Sequence, residues 1–154
     1  MLAKSQSRWE MPDAATLARL VNVVTSTMFG VNFQVARDPV DPKRYTRMAA
    51  IAIGGPHPLR VALASDDESC GKLCSRLFGC PPDKLEPWMI DDQLCELVNM
   101  AAGQIKTAVA PEMALTVPKI VTPPEVAPAA DSGDPCSVIL RAEALHLLLT
   151  ISRT

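Results

Sequence analysis

The chain has 154 residues, 48% of them apolar and 21% charged, with a net charge of −2. This is the size and composition of one folded domain, and it argues against a disordered chain. No basic cluster is present and aromatics are only 4%, so neither a phosphate-tracking groove nor a base-stacking platform is available and nucleic acid is not an expected partner. The longest apolar runs, Val138-Ile139-Leu140 and Leu147-Leu148-Leu149, are far shorter than the roughly 18 residues a membrane span needs.

Lys4 and Arg8 lie near the amino terminus with no apolar stretch after them, which fits a flexible arm over residues 1–12 better than a secretory signal. A single domain is expected over 13–154. Asp13 is a good helix cap after Pro12, and Leu17, Leu20, Val21, Val24 and Met28 repeat at helical spacing up to Gly30. This predicts a long helix over 13–29. Residues 45–53 and 59–64 are rich in strand formers and flank Gly54-Gly55-Pro56-His57-Pro58, the pattern of two strands joined by a turn. Ser65 followed by Glu68 reads as a capping box that opens a helix closed by Gly79, Pro81 and Pro82.

A second long helix is predicted from Asp91 or Asp92 to about Val109, ended by Pro111. Residues 116–121, 136–143 and 145–152 then read as strands, with a proline-rich loop over 122–135 between the first two. The order of these elements predicts an α+β domain, a mainly antiparallel sheet packed with two long helices. Leu17-Ala18-Arg19-Leu20-Val21-Asn22 on the first helix parallels Leu94-Cys95-Glu96-Leu97-Val98-Asn99 on the second. This short match suggests a pseudo-twofold internal repeat.

Five cysteines and no signal segment point to reduced thiols and a cytoplasmic protein. Cys70, Leu73, Cys74, Leu77 and Phe78 fall on one helical stripe, so the thiols are expected to pack in a core. His57 lies in a turn and His146 on a strand, neither with a ligand-spaced neighbour. No metal of the chain's own is expected.

The chemistry concentrates on the second long helix. At about 100° per residue, Leu94, Leu97, Val98, Ala101, Ile105 and Ala108 form its core side, while Glu96, Asn99 and Gly103 lie opposite. Spacing of i, i+3 sets the carboxylate and the carboxamide one turn apart on the same strip. Gly103 costs a helix roughly 1 kcal/mol relative to alanine, a cost with no packing reason on an exposed strip unless something approaches closely. Met100 beside them offers a flexible apolar contact.

The string Glu96-Leu97-Val98-Asn99-Met100-Ala101-Ala102-Gly103 closely resembles the signature helix of the CheC, CheX and FliY phosphatases of bacterial chemotaxis, most of all CheX. The resemblance implies a phosphatase that removes the phosphoryl group from the aspartate of a CheY-type response regulator. By it, Glu96 and Asn99 are the catalytic pair: Asn99 orients the attacking water and Glu96 holds the regulator's lysine. Met100 and Gly103 would contact the partner. A carboxamide suits the first task because it can both donate to and accept from a water without adding charge. Magnesium would come with the phosphorylated regulator, and homodimerisation is implied as well.

Two departures from the family pattern matter. CheC-like members carry a second Glu-x-x-Asn on the first helix, where this chain has Arg19 and Asn22, so one active site is expected, as in CheX. Gln104 stands where asparagine is common. The competing reading is a non-catalytic adaptor that binds a regulator or a flagellar-switch component through the same helix.

Overall fold

A computed structural model describes residues 11–37, 41–122 and 136–153. Helix α1 spans Ala14–Phe29, and the Asp13 carboxylate accepts from the Thr16 N–H at 2.8 Å to cap it. Gly30 ends it in the left-handed region, at φ 68°, where its N–H reaches the Ser26 carbonyl. Strand β1 (Gln34–Ala36) follows, and a 3₁₀ turn at Pro42–Arg44 leads into β2 (Arg47–Ile53), β3 (Leu59–Ser65) and α2 (Asp67–Phe78). A second 3₁₀ turn at Pro82–Lys84 leads into α3 (Pro87–Val109), after which come β4 (Lys119–Val121), β5 (Cys136–Ala142) and β6 (Leu145–Arg153).

The six strands form one antiparallel sheet in the order β1-β5-β6-β3-β2-β4. The expected α+β class and antiparallel sheet are what the chain adopts. Both edge strands, β1 and β4, are only three residues long, which leaves little edge for an unwanted strand to pair with.

Side chains alternate across the sheet. Along β6, Leu145, Leu147, Leu149 and Ile151 join Val61 and Leu63 of β3, Leu17 and Val21 of α1, and Leu94, Leu97 and Ile105 of α3 in the main core. A smaller cluster of Tyr45, Met48, Ala50, Ala62 and Ala64 is separate from it. Packing of α3 is chiefly on β2 and on α1. Arg47, at the start of β2, ion-pairs with Asp67 at 2.8 Å and Asp91 at 3.0 Å, tying the sheet to the first turn of α2 and the second turn of α3.

Several boundaries differ from the sequence expectations. α3 starts at Pro87 rather than at Asp91 or Asp92, because Glu86 takes the cap position and proline is well suited to the first helical residue. The cap of α2 is Asp66, which accepts from the Ser69 N–H at 2.6 Å. Ser65 instead ends β3, and its hydroxyl donates to the His146 carbonyl at 2.6 Å.

The strand expected over 116–121 shrinks to Lys119–Val121, since Pro118 has no N–H for a ladder. Thr116 still exchanges two bonds with the Ala52 backbone, one through its own N–H and one through its hydroxyl. β5 stops at Ala142, and Glu143 takes a positive φ of 53° in the two-residue turn to β6. The strand expected from Tyr45 begins at Arg47, and β1 was not foreseen at all. Most of the expected arm and loop, residues 1–10 and 123–135, lie outside the described residues.

Candidate active site

The pattern of burial along α3 separates two faces. Leu94, Leu97, Val98, Ala101 and Ile105 are fully buried, whereas Glu96 and Met100 are exposed and Asn99 and Gly103 half-buried. Ala108, expected on the core side, is exposed, and Val109 beside it packs against the main core instead. The four residues singled out from the sequence thus share one outward strip.

Neither Glu96 nor Asn99 has a hydrogen bond or ion pair with another described residue. A β-carbon built at Gly103 would meet nothing within 4 Å, so packing inside the chain does not demand glycine there. The Thr107 hydroxyl bonds the Gly103 carbonyl at 2.9 Å and thereby supports the glycine turn.

The matching positions on α1 are arranged differently. Arg19 is exposed, but the Asn22 side-chain amide donates to the Phe33 carbonyl at 2.7 Å and its oxygen accepts from the Phe33 N–H at 2.7 Å. Thr25 donates to the same oxygen. Asn22 is therefore committed to holding the segment between α1 and β1. The carboxamide of Asn99 is uncommitted.

Of the cysteines, Cys95 is the one on α3. Burial, then the carboxylates of Asp91 and Asp92, push the Cys95 thiol above its usual value, and desolvation pushes Cys70 up to about 12. Cys70, Leu73 and Cys74 are buried as expected, but Leu77 and Phe78, at 37% and 47% exposed, are not. The final turn of α2 projects past the core. Among the described residues no three His, Cys, Asp or Glu side chains gather where they could hold a metal ion, and no helix is long and apolar enough to cross a membrane.

Sequence reasoning passed over Gln93 and Trp88, both on α3. Gln93 is 2% exposed with neither amide atom hydrogen-bonded, an exception to the rule that buried polar groups are paired. A cleft of about 700 Å³ opens elsewhere, between the end of α1, β1 and the β5–β6 turn, and no α3 residue lines it. The strip on α3 lies on an outward helix face, away from that cleft.

A single antiparallel sheet under three helices, with a carboxylate and a free carboxamide facing outward from the longest helix, defines a class of small α+β domain that presents its motif on a helix surface. The chain belongs to the CheX family: the family model described as chemotaxis phosphatase CheX matches residues 47–140. No curated protein sequence matches the chain significantly.

Among solved structures, the chain is similar to one in a CheX-CheY-BeF3-Mg2+ complex from Borrelia burgdorferi, at 13% identity and a TM-score of 0.72, covering 94% of this chain and 99% of that one. Chemotaxis protein CheX from Vibrio vulnificus is similar at 16% identity and a TM-score of 0.71, with the same coverage. The middle domain of FliM from H. pylori shares the fold at 12% identity and a TM-score of 0.58, covering 90% of this chain and 86% of that one.

Proposed function

We propose that this protein hydrolyses the aspartyl phosphate of a CheY-type response regulator, with α3 entering the regulator's active site. One observation carries the proposal: Glu96 and Asn99 stand side by side on an outward strip with no partner among the described residues, in a chain of the chemotaxis phosphatase CheX family. Asn99 holds a water in line with the phosphorus. The water oxygen forms the new bond to phosphorus, the bond to the aspartyl oxygen breaks, and its electron pair leaves with the aspartate carboxylate. Inorganic phosphate carries away the proton lost by the water. Positioning of this kind supplies most of the catalysis available to phosphoryl transfer.

Glu96 pairs with a lysine ammonium of the regulator and fixes the register of docking. Met100 adds an apolar contact, and Gly103 lets the partner backbone approach closely. Magnesium is assigned to the regulator; the Borrelia burgdorferi complex contains CheY, BeF3 and Mg2+. We further infer one site per chain, a homodimer, a single domain over 13–154, a cytoplasmic location, and an ancestral repeat relating α1 to α3 in which only α3 kept its carboxylate.

The likeness to the FliM middle domain favours a second reading, a non-catalytic adaptor of the flagellar switch. Loss of label from receiver domains phosphorylated with acetyl phosphate, with and without this protein, separates the two. Catalytic, substoichiometric loss supports the phosphatase; binding without loss of label supports the adaptor.

A further inference from the structure

The early start of α3 brings one more side chain onto the helix. Trp88 is 60% exposed, the most exposed aromatic among the described residues. At about 100° per residue, the eleven positions from Trp88 to Asn99 return to within about 20° of the same direction, roughly 16 Å along the axis. Asp92 is exposed on the same sector. Neither Asp92 nor Glu96 has an ion pair among the described residues.

A stable interface of ordinary size covers about 800 Å² on each partner, a patch roughly 16 Å in radius. A body docked on Glu96 and Asn99 therefore reaches Trp88. Leaving an indole in water is unfavourable, and tryptophan is enriched among the residues that dominate binding energy. We propose that Trp88 and Asp92 form a second contact point for the receiver domain that docks at Glu96 and Asn99, with Trp88 entering an apolar recess and Asp92 facing a basic side chain.

This inference rests on the function proposed above. A second copy of the chain is the poorer occupant, because a twofold interface sets a patch against itself and would set one acidic pair, Asp92 and Glu96, facing another with no basic group of the strip between them. Trp88 is too far along the helix to touch the reacting atoms. It is a positioning residue, and its contribution belongs to KM rather than to kcat.

The test is steady-state dephosphorylation of a CheY-type receiver domain phosphorylated with acetyl phosphate, comparing the parent with Trp88→Ala, Trp88→Phe and Asp92→Asn. Trp88→Ala should raise KM about tenfold or more with kcat within about twofold, Trp88→Phe should recover most of the loss, and Asp92→Asn should raise KM more at low salt than at high salt. In parallel, a Trp9→Phe variant leaves Trp88 as the single tryptophan, and its emission should shift to the blue when a tryptophan-free, beryllofluoride-activated receiver is added. Unchanged KM in Trp88→Ala, an equal fall in kcat, or unshifted emission overturns the inference while leaving the phosphatase reading intact. Absence of turnover by the parent overturns that reading, and this inference with it.

Discussion

Asn22 on α1 and Asn99 on α3 are aligned only by a short sequence match, and their carboxamides have different employments. Asn22 bonds both backbone groups of Phe33, whose ring is buried in the main core. Replacing it by alanine strands a buried N–H and C=O, which costs about 1–3 kcal/mol. We predict for Asn22→Ala a Tm lowered by several degrees with kcat unchanged, checked by thermal melts beside turnover. An unaltered Tm would mean that the Phe33 bonds form equally well with water. Gly103 points the other way. A β-carbon there meets open space, so Gly103→Ala should stabilise the fold by up to about 1 kcal/mol while raising KM for the phosphorylated receiver. A variant more stable and equally fast would remove Gly103 from the docking surface.

At the scale of elements, two serines, Ser65 at the end of β3 and Ser69 on α2, bracket one residue of β6. Ser65 donates to the His146 carbonyl, and the His146 N–H donates to the Ser69 hydroxyl at 3.0 Å. Ser69 also bonds the capping carboxylate of Asp66 through its own N–H and hydroxyl. Ser69→Ala removes the hydroxyl's bonds to both β6 and Asp66 and should cost about 1–3 kcal/mol, seen as a lower denaturation midpoint with an unchanged m-value. A cost near zero would show that the strand shifts to find another acceptor. The long helices were legible in the chain because sixteen and twenty-three residues hold several periods of apolar spacing. β1 and β4 were not: three residues are too few for an alternation to appear. α3 starts four residues before Asp91 because proline is acceptable as a first helical residue, and this places Trp88 on the helix.

On the scale of the whole molecule, the outward strip of α3 was legible from periodicity alone, since Glu96 and Asn99 fall opposite the buried leucines. Its freedom from internal partners was not, because hydrogen bonds such as that of Asn22 to Phe33 cross a turn that no spacing rule anticipates. The orphaned amide of Gln93 was equally invisible, as the sequence gives no account of what surrounds it. The sheet and α1 hold α3 rigidly without adding a described group to the strip. Changes at Glu96 and Asn99 should therefore alter function without unfolding the chain, since surface substitutions usually stay within about 0.5 kcal/mol.

In the proposed mechanism Asn99 acts on the attacking water whereas Glu96 acts on the partner. The most direct test is the rate of phosphate loss from a phosphorylated CheY-type receiver with the parent, Asn99→Ala and Glu96→Ala, beside binding of each to the beryllofluoride-activated receiver. Asn99→Ala should lower kcat about 100-fold while binding within about twofold of the parent, and Glu96→Ala should weaken binding about tenfold. Dephosphorylation by Asn99→Ala at the parent rate would contradict the account and leave α3 a binding surface.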